Sequence, residues 1–190
     1  MAGTLADAFF ERLTDLNILN LSKNRLVGTI PTKIGTAAST IEMLQLNGNG
    51  FSGHIVSELG RATRLKTLDL GQNNFRGQLP TELNQLTKLS LLNVDNNPDI
   101  TGRIPTEYGN FVDLSFFSVS NTAIRGRMPR QYASLTNLKE LHMAKTLIGG
   151  DIPSAIANMT HLTHLDLSGS RFRKSIPSVI GTLGKLCTWL

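Results

Sequence analysis

The segment HLDLSGS places His164, Asp166 and Ser168 at alternate positions, the three side-chain types that perform nucleophilic acyl transfer when they converge. Alternation puts them on one face of an extended strand, where neighbours stand roughly 6.5 to 7 Å apart and project in parallel. A triad needs convergence to hydrogen-bond distance beside oxyanion donors, so this spacing points away from hydrolysis and no catalytic residue is assigned. His142, Glu140, His164 and Asp166 would fall close together on adjacent strands, a set that in other settings holds a metal or responds to pH. Two imidazoles and two carboxylates select no particular metal; they are read as solvated side chains of a polar sheet face, with no metal and no cofactor expected. Cys187 stands alone, which excludes an intrachain disulfide and a thiolate cluster, and it is read as an incidental surface thiol. Each glycine serves a repeat or a turn, which leaves none for a phosphate-cradling loop.

The chain has 190 residues, a formal charge of +5 and one cysteine. That length suits one domain with a sizeable core. Abundant Gly, Asn, Ser and Thr point to a turn-rich fold with a polar but weakly charged surface. The basic excess is spread too thinly to indicate nucleic acid. No run of eighteen apolar residues is present to span a bilayer, and the opening MAGTLADAFFERLTDL lacks the apolar core of a secretory leader, so no direct membrane insertion is expected of this segment.

The elements that would position these side chains emerge on comparing the chain with itself. Leu16, Ile41, Leu65, Leu89, Leu114, Leu138, Leu162 and Leu186 recur at intervals of 25, 24, 24, 25, 24, 24 and 24 residues. Three residues after each stand Leu19, Leu44, Leu68, Leu92, Phe117, Leu141, Leu165 and Trp189, then a third apolar position beginning Leu21, Leu46, Leu70. A polar position follows, occupied by Asn24, Asn49, Asn73 and Asn97 and then by Thr122, Thr146 and Ser170. Each unit continues through an apolar residue, a glycine and an Ile-Pro or similar pair, with Val56 where proline is due and Lys174 where glycine is due. In LDLGQNNFRGQLPTELNQL, Leu68 and Leu70 alternate with Asp69 and Gly71, which directs the leucines inward and their neighbours onto an open sheet face. The Asn73 amide is placed to bond backbone groups of adjacent coils, Gly77 frees a turn, and Pro80 suits the first position of a short helical turn.

This pattern resembles the plant-type leucine-rich repeat, LxxLxLxxNxLxGxIPxxLxxLxx, from about Leu13 to Leu190. The resemblance implies an α/β solenoid: a right-handed superhelix with a concave parallel β-sheet and short helical or 3-10 turns on its convex side. One domain is expected over 1–190, with a truncated half repeat or cap at 1–12, about seven repeats over 13–182 and an incomplete repeat at 183–190. Leu5, Phe9, Leu13 and Leu16 follow helical spacing, with Phe10 in register with Leu83. Secreted members of the family carry cysteine-paired caps, which are absent from this sequence, so a segment of a longer protein is expected.

Binding identity would reside in the variable strand positions of the open face. Its first column holds Ile18, Met43, Thr67, Leu91, Phe116, Glu140, His164 and Thr188, and its second Asn20, Gln45, Asp69, Asn93, Ser118, His142 and Asp166. Exposed Met43, Leu91 and Phe116 among amides are the expected hot-spot patch, and the positions from Met43 to Asp166 are the candidate ligand-binding set. Arg76, Arg125 and Arg173 share a flank column and Arg103 and Arg127 another, with Arg130, Arg171 and Lys174 nearby. This strip suits an acidic polysaccharide, a phosphorylated segment or an acidic protein. Asn20 and Asn158 begin glycosylation sequons. The resemblance implies a non-catalytic module that recognises a protein or peptide, part of a larger receptor-like protein at the cell surface. An inhibitor of glycan-degrading enzymes that binds acidic glycans, an architectural spacer, and a cytoplasmic setting stand as the alternatives.

Overall fold

The computed structural model describes residues 3–13, 15–37, 40–173 and 175–190. Each 24- or 25-residue unit makes one turn of a coil, and its open face contributes one strand to a single parallel sheet. The strands are Ile18–Asn20, Met43–Gln45, Thr67–Asp69, Leu91–Asn93, Phe116–Ser118, Glu140–His142, His164–Asp166 and Thr188–Trp189, stacked in chain order. Register is exact from coil to coil: Leu68 pairs with both Leu44 and Leu92, and Asp69 with Gln45 and Asn93. The period of two then decides burial. Leu44, Leu68, Leu92, Phe117, Leu141 and Leu165 are buried, while the residues on either side of them face outward.

Past each strand the backbone turns through a left-handed residue, and the buried asparagine ties the turn to its neighbour. The Asn73 Nδ2 donates to the carbonyls of Leu46, Leu70 and Gly71, and its Oδ1 accepts from the Phe51 amide. Asn49 and Asn97 repeat this arrangement. Thr122, in the same place, bonds the carbonyl of its own coil at Val119. Its single donor is spent within its own coil, so the bond to the preceding coil is not made there and the ladder thins toward the C-terminal half. Ser170 partly restores it, accepting from the Thr146 amide and donating to the Met143 carbonyl.

A second set of short strands follows the ladder on the flank, in one sheet of four strands that includes Gly50–His54 and Asn74–Gln78 and another of three: Arg125–Gly126, Leu147–Gly150 and Arg171–Phe172. Single 3-10 turns such as Thr81–Gln85 and Thr106–Asn110 then line the convex side. Proline stands just outside these turns rather than at their first position. Pro80 is extended, at φ −65° and ψ 131°, and its carbonyl accepts from Leu83. Val56 takes nearly the same conformation, φ −76° and ψ 137°, so its departure from the repeat leaves the turn unchanged. Tyr108 and Tyr132 fill the inward position of two turns, and each phenol donates to the proline carbonyl one coil earlier, Pro80 and Pro105.

The first coil begins with a bridge between Thr4 and Val27, then the helix Asp7–Arg12. Phe10 is its buried residue, whereas Phe9 and Leu13 are exposed. Of the expected stripe Leu5 and Leu16 pack against the core while Phe9 and Leu13 do not, because within a turn this short Phe10 takes the inward position. Lys174 lies outside the described residues.

Candidate ligand-binding face and basic flank

On the open face the structure brings the two predicted columns together, with differences in exposure. Met43, Leu91 and Phe116 are half-buried rather than exposed. Leu91 pairs directly with Phe116, but Thr67 stands between Leu91 and Met43, so the apolar surface is a Leu91–Phe116 pair with Met43 set apart. The His142 ring extends that pair, its centroid 5.4 Å from the Phe116 ring. Gln45, Thr67, Asp69, Asn93, Glu140, His164 and Asp166 are all half-buried on the same face. Ser118 departs from expectation. It is 2% exposed, because its small side chain lies in register between the larger Asn93 and His142.

The titratable groups resolve into separate local contacts. His142 Nε2 meets Glu140 Oε2 at 3.1 Å, two long side chains spanning a same-face gap that shorter ones leave open. His164 Nδ1 bonds its neighbour Thr163 Oγ1, while Asp166 accepts from the Ser168 amide. Neither contact links the His164 ring to Asp166 or to the Ser168 hydroxyl. Among the described residues no three His, Cys, Asp or Glu side chains assemble as a metal-holding group.

The centre of the face is a carboxylate–amide cluster. Asn93 Nδ2 donates to Asp69 Oδ1 at 3.0 Å, Asp69 also accepts from the Gly71 amide, and Asn93 Oδ1 accepts from the Asp95 amide. Asp95 folds over Gly71, where any β-carbon would collide with its carboxylate. Its Oδ1 is shut away without a hydrogen-bond donor. Burial raises the Asp95 pKa, against the pull of the Asn96 and Asn93 amides and the His142 charge. Burial also raises that of Asp69, opposed by the Gly71 amide and reinforced by the charge of Asp95.

On the flank, Arg103, Arg127, Arg130, Arg171 and Arg173 are exposed and line one groove of about 1040 Å³. A second hollow of about 680 Å³ adjoins it through Arg103 and Gly126 and adds Arg125. Arg76 is left out, placed in register beside Asp99 on a more distant strand pair. Asn20 lies on the open face with its Oδ1 held by Ser22, and Asn158 is exposed at the end of a convex turn.

Residues 15–37, 64–86 and 161–183 match the family model described as Leucine Rich Repeat. Over 55 residues the chain is 46% identical to the LRR receptor-like serine/threonine-protein kinase GSO2 of Arabidopsis thaliana, covering 29% of this chain and 4% of that protein. The fold is similar to the LRR ectodomain of the Arabidopsis thaliana membrane receptor kinase GASSHO1/SCHENGEN3, solved in complex with CASPARIAN STRIP INTEGRITY FACTOR 2. That match has a TM-score of 0.86 at 32% identity, over 98% of this chain and 25% of that one. The chain belongs to the plant-type leucine-rich-repeat family. A further similar structure is the Arabidopsis receptor kinase HAESA in complex with the peptide hormone IDA and the co-receptor SERK1, with a TM-score of 0.91 and 28% identity over 96% of this chain and 30% of that chain. This leucine-rich-repeat chain therefore spans about a quarter of the GASSHO1/SCHENGEN3 chain.

Within the leucine-rich-repeat frame, the feature that the two-column reading missed is a third column just past the strands, running through Asn47, Gly71, Asp95, Ser120 and Ala144. Its signal was present in the sequence: a glycine at 71 beside an aspartate one coil later at 95 leaves room for a carboxylate to fold inward. No described helix is long and apolar enough to cross a membrane.

Proposed function

We propose that this leucine-rich-repeat segment is a recognition module that binds a protein or peptide along its open sheet face, as part of a larger extracellular receptor-like protein. The observation that carries this reading is the Leu91–Phe116–His142 ridge beside the Asp69–Asn93–Asp95 cluster. An apolar ridge edged by fixed hydrogen-bonding groups has the composition of an interface core. The similar ectodomain structures support it, since two were solved with a bound partner, CASPARIAN STRIP INTEGRITY FACTOR 2 for one and the peptide hormone IDA with SERK1 for the other. Kinship with receptor kinase ectodomains supports the extracellular setting, in which Asn158 is the sequon placed to carry a glycan without obstructing the face. Residues 1–12, 13–182 and 183–190 then serve as entry coil, repeats and incomplete exit repeat of one domain.

Selection of a displayed random-peptide library against the protein tests this reading. Enriched peptides should lose about thirtyfold in affinity for the Met43→Glu, Phe116→Glu double variant, the ~2 kcal/mol expected of a hot spot, while its circular dichroism stays that of the parent. Peptides that bind the variant unchanged would place recognition elsewhere and overturn the assignment.

A further inference from the structure

The open face carries a charge opposite to that of the chain as a whole. Nineteen lysines and arginines outnumber fourteen aspartates and glutamates over the sequence. Yet none of the nineteen stands in the two outward columns or in the third column past the strands, where Asp69, Asp95, Glu140 and Asp166 do. Toward the C-terminal end the imidazoles are taken up locally, His142 by Glu140 and His164 by Thr163. In the central coils Asp69 and Asp95 meet no cation directly among the described residues, and His142 acts on Asp95 only through its field. The rim beside the two aspartates holds Gln72 and Asn96. Lys66, which precedes the Thr67–Asp69 strand, is already paired with Glu42.

The Asp69 Oδ1 accepts from the Gly71 amide and from Asn93 Nδ2, whereas its second oxygen accepts from no described group and is not shut away. Two half-buried carboxylates side by side repel each other, and burial together with the charge of Asp95 pushes the Asp69 pKa up. A cation at this place would supply a charge-assisted hydrogen bond and relieve the repulsion. The apolar ridge starts one strand further on. Asp69 pairs with Asn93, and Leu91 lies two residues before Asn93 on the same face, so Asp69 and Leu91 stand on a diagonal of roughly 8 Å, set by the strand spacing and the same-face repeat. Resting on recognition along the open face, we propose that this face takes a cationic peptide, with a lysine or arginine on Asp69 and Asp95 and an apolar side chain two residues away on the Leu91–Phe116 pair.

The two halves of the surface together select such a ligand. A polyamine would match the carboxylates but bring nothing to the ridge, and an apolar peptide would leave the carboxylates unpaired. An extended peptide presents alternate side chains on one side at roughly 6.5 to 7 Å, close to the diagonal from ridge to carboxylate, and the long stem of lysine or arginine takes up the remainder.

Peptides enriched on the intact chain from a displayed random library test the assignment. They should carry Lys or Arg two residues from Phe, Tyr, Leu, Ile or Met more often than the unselected library does; no such enrichment would overturn it. Their affinity should fall at least about tenfold for the Asp69→Asn, Asp95→Asn variant, as for loss of a charge-assisted contact. Replacing the peptide's Lys or Arg by Gln should cost a similar factor against the parent and nothing further against that variant. The Glu82→Gln, Glu107→Gln variant loses the same charge from exposed convex turns and should bind as the parent does; equal loss in both variants would reduce the effect to net charge and overturn the site. Spermidine competing as strongly as the unlabelled peptide would show that charge alone is read, and would overturn the paired recognition. Peptides that lose affinity for the Met43→Glu, Phe116→Glu variant but bind the Asp69, Asp95 variant undiminished would leave the open face standing and overturn the cationic ligand, whereas indifference to both variants would overturn the two together. Circular dichroism reads unchanged folding of each variant.

Discussion

At the scale of single residues, Asp95 concentrates the physics of the open face. Its carboxylate is half-buried, has one oxygen without a donor and lies within the field of Asp69. A folded-state pKa raised by burial means that the native protein binds this proton more tightly than the unfolded chain does. The resulting penalty on stability is fully present above the raised folded value and is relieved as pH falls through it toward the ordinary aspartate range. Asp95→Asn removes the charge and also the repulsion that helps raise Asp69. The urea midpoint of this variant should therefore exceed that of the parent at pH 7, and the gap should close as the solution is acidified; a gap that widens on acidification would mean that Asp95 is stabilised as an anion. The columns of outward residues were legible because strand alternation is strict. The burial of Ser118 was not, since it depends on the sizes of Asn93 and His142 across two other coils, and neither was the inward fold of Asp95, which depends on an absent side chain at Gly71.

At the scale of elements, the asparagine ladder is what couples one coil to the next outside the sheet. Asn73 satisfies three carbonyls and one amide, all within a buried turn. Removing its side chain takes the acceptor from the Phe51 amide in a site closed to water, at about 1 to 3 kcal/mol, while the three carbonyls keep a second donor each, from Asn49, Asn97 and the Gly48 amide. Asn73→Ala should therefore lower unfolding stability by about 1 to 3 kcal/mol in urea titration, whereas Asn24→Ala, at the exposed first position of the ladder with bonds only to Leu21 and Ser22, should cost under about 1 kcal/mol. Equal losses at the two positions would show that burial of the ladder does not set its worth. The repeat made this element readable in advance, since an amide at one fixed position in four successive units has a single structural use. What the repeat concealed is the effect of shortening. A hydroxyl at Thr122 keeps the turn but gives up the bond across coils, which the hydroxyl of Ser170 makes, a difference of direction that residue type alone does not announce.

At the scale of the whole molecule, stability in such a stack is a sum of neighbour terms, so the ends differ from the middle. The N-terminal end is closed by Phe10, 2% exposed, and by the bridge from Thr4 to Val27. At the other end Trp189 and Leu190 are 38% and 64% exposed, and the strand Thr188–Trp189 has a neighbour on one side, His164–Asp166. Central strands instead bond on both sides and carry the intact part of the asparagine ladder. Native-state hydrogen exchange should follow this order: the amides of Leu70 and Val94 slowest, those of the Ile18–Asn20 strand intermediate, and those of Thr188–Trp189 fastest. Leu92→Ala, which empties a fully buried central position at a cost of about 2 to 5 kcal/mol, should then lower protection most in the coils on either side of it and least in the first coil. If every slow amide lost protection equally, the coils would be unfolding as one cooperative unit, and the gradient from capped to open end would carry no free energy of its own. A graded loss would instead mean that each part of the open face rests on its own share of the stack, so that a ligand bound over one set of coils would be felt at another only through the coils between them.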